Sequence, residues 1–214
     1  GCDFVEIDAR TTADDVIVSV HNESIDAYVT GHTGRVRDLT LKELKSLDIG
    51  EKYGPAWRGT QIPTFEEILA LCRGKIGIYL DPKDASVDAL VSLIRKHRME
   101  KSVLWCIPTR HKAALVELGA QCQECLPMPD PSAQDDINEI IETYNPCVLA
   151  PVMKNFSKQM VNLAHRQGVK VFVDESEHEP TLLKREWRTL LDCKADGIQT
   201  DYPELLIEYL RANN

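Results

Sequence analysis

The chain opens Gly1-Cys2-Asp3-Phe4-Val5-Glu6-Ile7-Asp8-Ala9-Arg10-Thr11-Thr12-Ala13-Asp14-Asp15-Val16-Ile17-Val18-Ser19-Val20-His21-Asn22. Residues 4–8 and 16–20 are apolar runs that read as strands. Too few residues separate them for a parallel crossover, which needs about ten or more. The second run therefore returns antiparallel to the first, as a hairpin turning near Ala13 and Asp14. Counting across that turn puts His21 opposite Glu6, and directly opposed side chains lie about 5 Å apart at Cβ. Glu6 and Asp8 are two apart, so in a strand they share a face. An unpaired buried carboxylate is costly, so a buried strand rarely spends two acids on one face for nothing. A divalent cation is the plain remedy, and the hairpin would bring His21 to it.

Working outward, strand-like runs recur at residues 76–81, 103–107, 123–126, 147–152, 169–173 and 197–200. Helical stretches lie between them, at 40–47, 63–72, 86–97, 110–118, 133–144, 158–167, 181–192 and 203–210. The helix at 40–47 opens on Thr40-Leu41-Lys42-Glu43, a capping box. Val87, Leu90, Val91 and Ile94 have the three-four spacing of one helix face. Alternating strands and helices imply an α/β protein with parallel strands and crossover helices. A barrel and a doubly wound sheet both fit. No Gly-rich phosphate loop follows any strand, which counts against a nucleotide-binding sheet. Leaving out the return strand, the parallel strands number seven, one short of a (β/α)8 barrel. The remaining strand would precede Gly1, and a chain that starts on Gly reads as the interior of a longer protein.

The 214 residues suit a single domain over 1–214, with an insertion at about 23–60. No apolar run approaches the roughly 20 residues of a bilayer span. The formal charge of -9 excludes nucleic acid as a default partner. Most of the seven cysteines lie in apolar runs and read as reduced, buried thiols. Cys122-Gln-Glu-Cys125 has no matching second pair, so neither zinc nor a redox role is expected there. The sequence assigns no compartment.

A further group of chemistry-bearing residues ends the run Ile78-Tyr79-Leu80-Asp81-Pro82-Lys83. Asp81 and Lys83 share a face at the C-terminal end of a strand, where barrel active sites are built. With Glu6 and Asp8, Asp81 would complete an oxygen shell suited to Ca²⁺ or Mg²⁺ rather than zinc. Lys83 could hold a phosphate oxygen as a point charge. The bland alternative is a salt-bridged strand end. His32 reads as exposed, and His97, His111, His165 and His178 as surface residues. Tyr53 and Trp57 either pack or wall a substrate pocket. Asp174 and Glu175, at the end of a late strand, read as support for the site or as solvated groups.

Several ordered blocks resemble the glycerophosphodiester phosphodiesterase family. Gly1-Cys2-Asp3-Phe4-Val5-Glu6-Ile7-Asp8-Ala9, Asp14-Asp15 and Val18-Ser19-Val20-His21-Asn22 match its second-strand block and the return to its histidine. Thr30-Gly31-His32-Thr33-Gly34 through Gly50, Ile62-Pro63-Thr64-Phe65-Glu66-Glu67-Ile68-Leu69 and Asp196-Gly197-Ile198-Gln199-Thr200-Asp201-Tyr202-Pro203 match three more. The resemblance implies a TIM barrel of the phospholipase C-like phosphodiesterase type. It implies an enzyme that hydrolyses small-molecule glycerophosphodiesters to glycerol 3-phosphate and an alcohol, using Ca²⁺ or Mg²⁺. Metal ligands map onto Glu6, Asp8 and Asp81; catalytic roles map onto His21 and Lys83. The family's His-Arg-Gly strand falls before Gly1, its His-Asp pair is His21-Asn22 here, and its Glu is the shorter Asp81. Asp-x-Lys also resembles spider-venom phospholipases D, which leaves transphosphatidylation as an alternative. A non-catalytic barrel without the His-Arg pair that binds a ligand or protein is another.

Overall fold

The structure, a computed structural model, describes residues 1–132 and 135–213. Ala133 and Gln134, the start of the helix expected at 133–144, lie outside the described residues. The chain divides into two compact units, Phe4–Val103 and Leu104 to the C-terminal end, the latter including Gly1–Asp3.

In the first unit, β1 (Phe4–Thr11) and β2 (Ile17–Ser19) form the expected antiparallel hairpin. Ala9 faces Ser19, Arg10 faces Val18 and Thr11 faces Ile17. This register corrects the sequence count by one residue. Extended, it sets His21 against Ile7 rather than Glu6, and β2 ends at Ser19, before the histidine. The cause is the turn. Thr12 N donates to Val16 O at 2.9 Å and Asp15 N to Thr12 O at 3.2 Å, while Asp15 adopts a left-handed φ of 60°. Three residues therefore bridge the strands, with the last in the left-handed region, the second commonest hairpin geometry.

β3 (Gly77–Asp81) lies parallel to β1, with Glu6 beside Tyr79 and Asp8 beside Asp81. The expected capping box closes α1 (Leu41–Lys45): Thr40 Oγ1 accepts from Glu43 N and the Glu43 carboxylate accepts from Thr40 N. A twin that the sequence reading passed over, Thr64 with Glu67, starts α2 (Phe65–Cys72). Ser86 caps α3 (Val87–His97), whose Val87, Leu90, Val91 and Ile94 are buried as their spacing requires. One cluster packs β2 against the insertion and α1 through Val18, Val20, Ile25, Val36, Leu44 and Ile62.

Within the insertion, Asp48 ties a loop shut. Its carboxylate oxygens accept from Gly50 N at 2.9 Å and Gly59 N at 2.8 Å, and Ile49 N reaches Thr60 O at 2.9 Å. The closure brings the Trp57 carbonyl so near Gly50 that a Cβ there would lie 1.7 Å from its oxygen.

In the second unit, β4 (Val103–Pro108) pairs in parallel with β5 (Leu126–Asp130) from Leu104 onward. β6 (Val148–Leu149), β7 (Lys170–Asp174) and β8 (Gly197–Gln199) form a parallel sheet in that order. The helices are α4 (Lys112–Gln121), α5 (Ile137–Tyr144), α6 (Lys158–Arg166), α7 (Pro180–Asp192) and α8 (Pro203–Asn213). Leu149, Val161, Ala164, Val171, Val173 and Leu190 form a core between β6, β7 and the helices. β5 falls later than residues 123–126, and two nearby cysteines are not the reduced thiols expected. Cys122 and Cys125, both buried, form a disulfide with Cα atoms 5.3 Å apart.

Glu175, just past β7, is buried and fully partnered. It accepts from Trp187 Nε1 at 2.8 Å, Thr200 Oγ1 at 2.7 Å and Asp201 N at 3.2 Å. Beside it Asp174 faces solvent. Loss of hydration on its protein side raises the Asp174 carboxyl from 3.8 to about 6, helped by Glu175, Asp201 and Glu186 and opposed by His178.

Gly50→Ala therefore forces backbone apart, which costs about 1–3 kcal/mol; denaturant unfolding should show the loss, and an unchanged midpoint would refute the steric reading. A second expectation concerns pH. The folded state binds the Asp174 proton more tightly than the unfolded chain, so its contribution to stability is full below pH 3.8 and is lost as pH rises through about 6. Solvent screening makes the effect modest. Thermal melts from pH 4 to 7 should show the parent losing stability relative to Asp174→Asn; parallel curves would discount the shift.

Candidate active site

Parallel register builds this site. Glu6 and Asp8 project from one face of β1, and Asp81 stands beside Asp8 at the end of β3. One oxygen from each of the three carboxylates lies within 4.8 Å of the others. Asp8 is buried at 7% exposure, whereas Glu6 and Asp81 are half-buried. Lys83, two residues past Asp81, turns back over them. Its Nζ lies 3.0 Å from Asp8 Oδ1 and donates to Asp81 Oδ2. The contact to Asp8 is an ion pair, and buried Asp8 Oδ1 has no hydrogen-bond partner among the described residues.

The electrostatics follow from that crowding. Burial, then the charges of Asp8 and Asp81, push Glu6 from 4.5 up to about 8, against the pull of Lys83. Burial lowers the Lys83 ammonium, but its bond to Asp81 and the negative charges of Asp81 and Asp8 outweigh this and hold it above its usual range. The donor set is all oxygen, anionic and convergent, with one buried oxygen unsatisfied. That suits a hard divalent cation.

His21 stands on an exposed bend just past β2. Val20 N donates to Asp8 O at 3.2 Å, so the histidine leaves the hairpin next to the rung that carries Asp8. Its Nδ1 lies 2.8 Å from Asn22 Oδ1. With the amide oxygen accepting, Nδ1 carries the proton and Nε2 keeps its lone pair. Asn22 thus offers the ring a neutral acceptor.

Other expected contributors fall elsewhere. Tyr53 and Trp57 are exposed at 73% and 60% and line a small cavity of about 350 Å³ with Ile49, Gly50 and Thr60, none of them a carboxylate of the cluster. His32 is exposed. His97 bonds Glu66 at 3.1 Å and His165 bonds Asp196 at 2.8 Å. The sequence reading missed Arg10, whose guanidinium grips the His21 carbonyl. Its signal was parity: residues 6, 8 and 10 share one face of β1.

Comparison with known proteins gives this arrangement its context. The model of the glycerophosphoryl diester phosphodiesterase family matches residues 1–114. A glycerophosphodiester phosphodiesterase from Caldanaerobacter subterraneus subsp. tengcongensis is 30% identical over 99% of this chain and 87% of that protein. Among solved structures, a phosphodiesterase from Oleispira antarctica in complex with the product sn-glycerol-3-phosphate superposes with TM-score 0.83, at 23% identity, over 99% of this chain and 86% of its own. A glycerophosphodiester phosphodiesterase from Agrobacterium tumefaciens superposes with TM-score 0.79, at 21% identity, over 96% and 86%. These likenesses give the strand-helix alternation its class, the α/β TIM barrel. With the family model matching the half that carries the carboxylates, and a relative aligned over nearly the whole length, the chain belongs to the glycerophosphoryl diester phosphodiesterase family.

Proposed function

We propose that this protein hydrolyses glycerophosphodiesters to glycerol 3-phosphate and an alcohol, with a divalent cation held by Glu6, Asp8 and Asp81. The observation that carries the reading is the convergence of three carboxylates on two adjacent strands with a lysine folded over them. Relatives named as glycerophosphodiester phosphodiesterases, and a structural neighbour bound to sn-glycerol-3-phosphate, support the substrate class.

A bound Ca²⁺ or Mg²⁺ would polarise a phosphoryl oxygen as a Lewis acid. The protein's own residues do the rest. Glu6, with its carboxyl raised to about 8, gives up its proton when it becomes a ligand. Lys83 stays cationic through the neutral range and offers a point charge to a non-bridging oxygen as negative charge builds there. Asp8 and Asp81 hold that ammonium in place. His21 presents Nε2 as a proton carrier, because Asn22 fixes the other ring nitrogen. Water attacks phosphorus, the bond to the alcohol oxygen breaks, and the water's proton is returned to the departing oxygen.

Two outcomes follow. Glu6→Gln and Asp8→Asn should weaken Mg²⁺ and Ca²⁺ about tenfold or more in calorimetric titration, and parental affinity in both would refute the ligand assignment. His21→Ala should lower kcat by about 10²–10⁴ with metal affinity retained. Phosphorus NMR of a turnover mixture should show glycerol 3-phosphate; a cyclic phosphate would point to transphosphatidylation instead.

A further inference from the structure

We propose that Arg10, braced by Asp84, is a positioning residue that sets where the His21 imidazole stands; this rests on His21 being the proton carrier of the proposed reaction. His21 is exposed on a bend outside β2, so side-chain packing does not hold it. Its backbone is held instead. Arg10 Nε and Nη2 both donate to the His21 carbonyl, at 3.1 and 2.8 Å. Arg10 Nη1 donates to Asp84 Oδ2 at 2.9 Å, and Asp84 Oδ1 accepts from Thr11 N at 2.8 Å. The guanidinium is thereby locked at both ends, with only 14% of its side chain exposed.

The next residue is tied as well. Asn22 N donates to Tyr28 Oη at 3.1 Å, while Asn22 Oδ1 takes the His21 ring. The ring and the peptide beneath it are each held by a named bond. The clamp also shares its supports with the carboxylates. Arg10 lies two residues past Asp8 on β1, and Asp84 lies three past Asp81, just beyond β3. The cluster and the histidine are therefore referenced to one frame, the paired ends of β1 and β3.

Only arginine can make this clamp. Its planar fork spans one carbonyl with two donors while a third meets a carboxylate, and an ammonium cannot match that geometry. A mere brace of the hairpin would act on stability and on every reaction step alike. A positioning residue acts through His21 alone, and a double-mutant cycle separates the two.

The experiment compares the parent, Arg10→Ala, His21→Ala and the double variant on glycerophosphoethanolamine, with Mg²⁺ affinity read by calorimetry. Arg10→Ala should lower kcat about a hundredfold, with KM and Mg²⁺ affinity within about twofold. In the His21→Ala background the same change should cost nothing further, and Arg10→Lys should not restore kcat. An equal loss in both backgrounds, or an unchanged kcat in Arg10→Ala, overturns the proposal. Parental kcat in His21→Ala instead overturns the reading of His21, whatever Arg10 does. If Arg10→Ala does not fold, Asp84→Asn carries the cycle: it keeps an acceptor for Thr11 N and removes the charge that braces Arg10. Its loss of kcat must likewise vanish in the His21→Ala background, and a loss that persists there overturns the proposal.

Discussion

Crowding of like charge at the ends of β1 and β3 is the constraint on which this site depends. Three carboxylates with oxygens inside 4.8 Å repel one another, and burial removes the water that would screen them. Lys83 answers part of that repulsion through Asp8 and Asp81. The remainder is absorbed by a proton on Glu6, whose carboxyl is driven to about 8. With that proton gone, the negative charges exceed the positive one by two, the charge of a single divalent cation. The site tolerates its charge by neutralising one carboxylate, the usual response of a buried acid.

Such crowding is possible only because the strand register is fixed. A slip of one residue between β1 and β3 would turn Glu6 and Asp8 to the opposite face and separate them from Asp81. Apolar neighbours prevent it. Ile7 and Ala9 alternate with the acids, and Ile78 and Leu80 flank Tyr79 on β3; all four lie in the interior. The hairpin adds a second restraint, since its three-residue turn is held by Thr12, Asp14 and the Leu39 carbonyl. The carboxylate face of β1 is thus secured by hydrophobic burial along the strand and by the turn that follows Thr11.

The carboxylate face was legible in the sequence because strand periodicity is strict: residues two apart must share a side. Asp81 and Lys83 were legible for the same reason. The exact seat of His21 was not, because a turn's length depends on whether one residue adopts a left-handed backbone, and Asp15 gives only a weak signal of it. β5 was placed too early. Its Leu126-Pro127-Met128-Pro129-Asp130 carries two prolines, each removing a ladder donor, and such a run reads as loop. Cys122 and Cys125 show no pairing signal beyond a spacing that reduced cysteines also have. Arg10 escaped notice because its partners, the His21 carbonyl and Asp84, are close only after folding.

Burial of an acid is not by itself a mark of function, as the two units show when set side by side. Glu175 and Glu186 are each 8% exposed, as buried as Asp8. Glu175 is met by an indole N–H, a hydroxyl and a backbone N–H; Glu186 is met by the backbone and hydroxyl of Ser176. Neutral donors satisfy both, and both serve to tie loops to α7. At the ends of β1 and β3 the acids face one another and a lysine, and a buried oxygen of Asp8 is left without a hydrogen bond. A fold that needed only stability there could have supplied hydroxyls and amides as it did around Glu175. What stands there instead is three carboxylates with oxygens within 4.8 Å of one another, a crowding that stability alone does not call for.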